Sequence, residues 1–304
     1  MKVGVIVPQG WTGEYDGWEA PRAWERTVAV AEQADRLGFE SIWLFDHFHT
    51  VPKPKDELTF ESFTSLAALA ALTTRVLLGH IVICNGYRNP ALVAKMASTM
   101  DTISGGRMQL GIGAGWKQEE WLAYGYRFPP TGERLAMLHD GLEVITRMLE
   151  PGRTARATFD GRHAGVHGAI NLPKPIQQTG MPVMVGGNGP EVTWRLAARY
   201  ADELNLDGLS PDEVRDALPI IRSRCAEIGR DPASLLVSVH AWWGTGEWAE
   251  AGARRRDLLA AYAELGVSRV IGLLQASATS DGALEALAAD ATETAGVELA
   301  RAVG

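Results

Sequence analysis

Eight times along its 304 residues, this chain passes from a short apolar stretch into a stretch with helical spacing. That alternation limits the fold more than any other feature. The apolar runs lie at 3–7, 41–44, 76–84, 107–112, 182–185, 203–206, 235–242 and 268–274. They are apolar on both faces, as parallel strands covered by helices must be. Eight strand–helix units suit a closed α/β fold, the (β/α)8 TIM barrel. A doubly wound open sheet is the alternative.

The helices carry their own punctuation. Trp24, Val28, Ala31 and Leu37 share one face, and Gly38 stops the run. An alanine-rich helix is expected over 61–73. Asn89 and Pro90 cap and start a helix that ends near Gly105 and Gly106. Helices follow over 132–149, from Pro190, and over 247–265. Ser210-Pro211-Asp212-Glu213 is a capping box, and Pro219 is expected to kink the helix behind it. The segment 151–175, PGRTARATFDGRHAGVHGAINLPKP, has no helical period. It reads as a hairpin insertion or a mobile loop. One domain over 1–304 is expected.

Charge excludes some functions. The net charge is −8, with acidic and basic residues interspersed, so no basic stripe marks a nucleic-acid binder. Two cysteines, Cys84 and Cys225, make no disulfide framework, which fits a reduced, cytoplasmic setting. The N-terminal MKVGVIVPQGW reads as a buried strand ended by Pro8, not as a signal peptide. No apolar segment approaches the ~18 residues of a membrane span. The expected partner is a small-molecule substrate.

In such a barrel, chemistry gathers where the strands end. Strand one leads to Trp11, strand two to Asp46, His47 and His49, and strand three to Asn85, Tyr87 and Arg88. Strand four leads to Gly113, Gly115 and Trp116, strand five to Gly186, Gly187, Asn188 and Gly189, and strand six to Asp207. His47 and His49 could share a face toward a metal. The exits of strands four, five, six and eight offer no further histidine, so no metal site is expected. LGIGAGW, 110–116, suits either a dinucleotide turn or close backbone packing. VGGNGPEV, 185–192, suits an anion held by amides ahead of a helix, and equally a turn that needs positive φ. Trp11, Phe45, Tyr87, Trp116 and Trp121 lie near these exits and suit a flat, partly apolar ligand.

Four blocks resemble the luciferase-like monooxygenase superfamily, especially its coenzyme F420-dependent branch. They are LGFESIWLFDHF, RVLLGHIVICNGYRNPALVAKMASTMDTISGGRMQLGIGAGW, EEWLAYGYRFPPTGERLAMLHDGLEVI and PVMVGGNGPEVTWRLAARYADELNL. The resemblance implies a (β/α)8 barrel with an insertion, commonly a homodimer, holding a deazaflavin or flavin at its C-terminal mouth. It places Asp46 and His47 beside the ring, with His47 as the acid–base group. It implies a strand-three bulge with a non-proline cis peptide near Ile81-Val82 under the ring. Gly113 and Gly115 would line the ring edge, with Asn85 close by. Gly186, Gly187, Asn188 and Gly189 would hold the phosphate. Trp11, Tyr87 and Trp116 would line the substrate pocket. Lys53, Lys55, Arg88 and Lys117 are candidates for an acidic cofactor tail.

The chain departs from the resemblance at one point. Some deazaflavin enzymes carry a glutamate just after the strand-four glycines, where this chain has Trp116. That argues against sugar-phosphate dehydrogenase specificity and leaves His47 as the obvious acid–base group. The expectation is a coenzyme F420-dependent oxidoreductase. The alternatives are an FMN-dependent monooxygenase and a non-catalytic flavin-binding barrel.

Overall fold

The computed structural model describes residues 1–150, 156–241 and 246–300, with no side-chain description for 246 and 247. Residues 151–155 of the expected insertion and Trp242 of the expected seventh strand lie outside it.

The chain begins β1 (Lys2–Ile6), α1 (Ala20–Leu37), β2 (Ser41–Leu44), α2 (Ser62–Leu72) and β3 (Leu77–His80). Then come β4 (Ile83–Cys84), α3 (Pro90–Ser104), β5 (Met108–Gly113), α4 (Gln118–Ala123) and α5 (Thr131–Leu149). A hairpin, β6 (Ala157–Asp160) with β7 (Gly165–Ala169), pairs antiparallel, which decides the insertion in favour of a hairpin. The second half runs β8 (Val183–Gly186), α6 (Thr193–Tyr200), β9 (Glu203–Asp207), α7 (Pro211–Ala226) and β10 (Leu236–Ala241). It ends with α8 (Gly246–Ala249), α9 (Ala253–Glu264), β11 (Arg269–Leu273) and α10 (Gly282–Glu293).

Eight parallel strands close into a barrel in the order β1, β2, β3, β5, β8, β9, β10, β11. β11 returns to β1, with Val3 opposite Val270, and β3 meets β5 at Leu78–Met108 and Gly79–Gln109. That closure excludes the open sheet. The third run is interrupted: β3 ends, the Ile81–Val82 peptide is cis, and β4 resumes on β5. This is the bulge the resemblance implied.

Capping follows the residues. Asn89 accepts from the amides of Ala91 and Leu92 and so starts α3, which Gly105 ends at φ 69°. Ser210 and Glu213 complete their capping box on α7, which runs unbroken through Pro219. Two helix expectations need correction. The stretch 247–265 is two helices, because Gly252 takes φ 105°, ψ −148°, which no helix accommodates, and donates its amide to Asp290. The helix expected from Pro190 begins at Thr193 instead.

The main apolar core lies between barrel and helices. A second cluster, including Ile6, Trp43, Ile81, Met184 and Ile271, fills the barrel itself. A Cβ on Gly4 would come within 2.8 Å of Trp43 Nε1, so glycine there makes room for the indole. Near the strand starts, Arg269 donates to Gln109 and Glu203 from one nitrogen and to Glu40 from another. This buried knot ties β11, β5 and β9 to the turn before β2. Apolar layers below and a polar knot at the base leave the strand ends as the place for an open cavity.

Candidate active site at the barrel mouth

A cavity of about 420 Å³ opens at the C-terminal ends of the strands. Twelve of the fourteen residues expected at the site line it: Trp11, Asp46, His47, Ile81, Val82 and Tyr87, then Gly113, Gly115, Trp116, Gly186, Gly187 and Gly189. Asn85 and Asn188 do not. The Asn85 amide abuts Gly141 of α5, where a Cβ would collide with it. The Asn188 side chain clasps β9 instead, donating to Asp207 O (2.7 Å) and accepting from Asp207 N (2.8 Å).

The centre of the site is His47. Its Nδ1 lies 2.7 Å from Glu120 Oε2. Glu120 is fully buried, and it also accepts from the Phe48 amide (3.3 Å) and the Tyr87 hydroxyl (3.2 Å). Trp11 stacks on the imidazole, centroids 4.3 Å apart and 5° from parallel, and Trp116 meets it edge-on at 5.8 Å. His49 also turns toward Glu120, 3.7 Å away. The sequence did not single out Glu120. The carboxylate comes from the first turn of α4, four residues beyond Trp116. No periodic signal marks this six-residue helix, and one glutamate in a QEEW stretch reads as solvated surface; only the tertiary fold turns it inward.

Asp46 has a different task. It accepts from both Arg88 terminal nitrogens (2.7 and 2.9 Å), from Ser62 Oγ (2.8 Å) and from the Cys84 amide (2.9 Å). Burial alone would raise its carboxyl, but the Arg88 guanidinium and the Cys84 amide hold it below the usual carboxylate range. Asp46 thus pins the strand-two exit, and with it His47, to β4. The same burial, with Asp46 nearby, pushes the Cys84 thiol up to about 12, so it packs as a neutral group.

On the cavity floor Val82 sits against Gly113 and Gly186. A Cβ on Gly113 or on Gly186 would stand 2.8 or 2.9 Å from a Val82 methyl. Both glycines make room for that valine, so a flat group entering the cavity would lie on Val82 as well as on backbone. Around the fifth strand exit the anion reading narrows. The Gly187 amide is spent on Asn205 O (3.0 Å), whereas those of Asn188 and Gly189 donate to no acceptor among the described residues.

The cations divide. Arg88 is committed to Asp46 and Glu61, and Lys55 pairs with Asp16. Lys117 lines the cavity, as does Arg134, which the sequence did not single out. Arg134 donates to Gly115 O (3.1 Å), Pro129 O (2.5 Å) and Thr131 Oγ1 (3.2 Å) and lies over Phe128. Also unanticipated are Thr131, Leu135, Thr193, Asn205 and His240 in the lining. His240 Nδ1 lies 3.0 Å from Asp207 Oδ1.

A family profile described as luciferase-like monooxygenase matches residues 1–303. The chain is 31% identical over 259 residues to the F420-dependent glucose-6-phosphate dehydrogenase of Intrasporangium calvum, covering 78% of this chain and 74% of that one. It is 29% identical over 248 residues to the pyrimidine monooxygenase RutA of Stutzerimonas stutzeri, covering 78% and 67%. It shares its fold with an F420-dependent secondary alcohol dehydrogenase solved with an F420-acetone adduct, at a TM-score of 0.78 and 18% identity over 94% of this chain and 98% of that one. With the profile spanning almost every residue, the chain belongs to the luciferase-like monooxygenase family and is an enzyme of that superfamily.

Proposed function

We propose that this chain is a coenzyme F420-dependent oxidoreductase, passing hydride between the deazaflavin and a small organic substrate while His47 exchanges the balancing proton. The observation that carries this reading is the His47–Glu120 pair beside a floor of Val82 seated on Gly113 and Gly186. The buried carboxylate holds Nδ1, which fixes the ring and leaves proton exchange to Nε2. It also stabilises the ring when protonated, as a carboxylate does in a His–Asp pair. The Tyr87 hydroxyl and Phe48 amide keep the carboxylate in place, and Trp11 keeps the imidazole in plane.

When bound, the deazaflavin supplies or accepts hydride at its C5. Gly113, Gly115 and Gly186 would take the flat ring, the Asn188 and Gly189 amides its phosphate, and Lys117 its acidic tail. The F420-dependent relative at 31% identity supports this cofactor. The RutA relative favours a second reading, an FMN-dependent monooxygenase using the same residues.

Titration of the purified protein with F420 and FMN side by side separates the two. F420 is expected to bind more tightly; preferential FMN binding would select the monooxygenase. His47→Ala is expected to keep fold and cofactor affinity and to lose about 10²–10⁴-fold in turnover. Full activity in that variant would remove the acid–base role.

A further inference from the structure

The barrel mouth is divided by charge. From 203 to 214, from 231 to 253 and from 270 to 300 the sequence has no lysine or arginine. Those segments contain the exits of β9, β10 and β11, adjacent strands of the barrel. The next strand in the ring, β1, leads into a loop with Glu14 and Asp16 before its first cation at Arg22. The two cations that line the cavity, Lys117 and Arg134, both follow β5, and Arg26 of α1, which reaches the β11 exit, is spent on Ser277 O and Asp281. The cations of the lining therefore stand on the β5 side of the cavity, away from β9 and β10.

On the β9–β10 side two groups face the cavity together: Asp207 from the end of β9 and His240 from β10. They pair through His240 Nδ1 and Asp207 Oδ1 at 3.0 Å. The arrangement mirrors His47–Glu120, and Phe45 lies between the two imidazoles, 6.4 Å from His47 and 5.6 Å from His240 by ring centroid. The pairs differ in one respect. Glu120 is fully buried, whereas the Asp207 side chain keeps 49% of its exposure, so its charge reaches the cavity solvent.

We propose that Asp207–His240 is the specificity-determining pair of this cavity and that it selects an uncharged polar substrate, an alcohol or its carbonyl counterpart, over an anionic one. Among the described residues that line the cavity, an anion approaching from the β9–β10 side meets the Asp207 carboxylate and no lysine or arginine, and like charges at an interface are a strong means of rejection. A hydroxyl or carbonyl oxygen suffers no such repulsion and finds polar partners in the pair. The inference rests on the proposed redox reading only for the class of reaction; the charge selection stands on the lining alone.

The test uses two probes with one ring and different charge, cyclohexanol and cyclohexanecarboxylate. Each is titrated by calorimetry into F420-loaded and cofactor-free full-length protein, for the wild type, Asp207→Asn and Asp207→Lys. The wild type is expected to bind the alcohol at least about tenfold more tightly than the carboxylate. Asp207→Asn should narrow that ratio to about threefold or less, and Asp207→Lys should reverse it. Equal binding of both probes by the wild type, an unchanged ratio in the variants, or no binding of either probe would each overturn the inference. F420 uptake is read in the same titrations. Its absence would sink the redox assignment while the probe ratio in cofactor-free protein still decides the charge selection.

Discussion

At His47 two contacts do different work. Trp11 fixes the plane of the imidazole, and Glu120 fixes which nitrogen is spent. Replacing Glu120 by Gln keeps the size but removes the charge. Turnover should fall about 10–100-fold with KM changed by less than about threefold, because the loss is confined to the step in which the ring gains or gives a proton. Steady-state kinetics on a variant with unaltered circular dichroism checks this; a change in KM alone would make Glu120 a packing residue. His80 shows the opposite use of an imidazole. It is fully buried, 4.3 Å from Phe63 by ring centroid, and burial lowers its pKa from 6.5 to about 4 despite Asp46 nearby. Between those values the unfolded chain binds a proton that the folded one refuses. Its contribution is thus fully present above pH 6.5 and lost as pH falls toward about 4, roughly 3 kcal/mol in all. In His80→Gln, the urea midpoint should depend less on pH across that window; an unchanged slope would place the acid sensitivity elsewhere.

The elements decide how closely a ligand can approach the backbone. β3 and β4 would be one strand but for the cis Ile81–Val82 peptide, and the break delivers Val82 between Gly113 of β5 and Gly186 of β8. Each glycine is there because its neighbour leaves no space for a Cβ. Gly113→Ala would put a methyl 2.8 Å from Val82 Cγ2, so Val82 must move. Cofactor affinity should drop at least about tenfold, with a modest loss of thermal midpoint, since overpacking costs about 1–3 kcal/mol. Cofactor titration beside a melting curve checks it, and unchanged affinity would remove Gly113 from the binding site. Element boundaries were readable where a cap is written in side chains, as at Asn89 and Ser210. They were misread where backbone alone decides: Gly252 splits a helix, and α6 starts at Thr193 rather than Pro190.

For the molecule as a whole, the buried knot at the strand starts holds what the mouth uses. Arg269 is bonded to Glu203, Gln109 and Glu40, and lies over the Trp43 ring at 5.4 Å. Arg269→Met would leave two carboxylates without their cation and should cost about 3–5 kcal/mol in denaturant unfolding. A loss below about 1 kcal/mol would mean the knot is dispensable. The strand–helix alternation was legible from eight apolar runs with helices between them; the pairing of β11 with β1 decided for the closed barrel over the open sheet. His47 and the glycine exits were legible because a strand end fixes where its next residues lie. The partners of those groups were not. Glu120 lies 73 residues from His47, and Asp207 lies 33 from His240. No local pattern brings either pair together, since the distance between them exists only once the sheet closes. The sequence by itself determined the alternation of the eight barrel strands with helices, the residues available at each exit and the glycine turns there, because these depend on local conformation and apolar periodicity. Only the tertiary structure decided which carboxylate holds which imidazole, and that the Asp207–His240 pair faces the same cavity as His47, because charge acts through space and not along the chain.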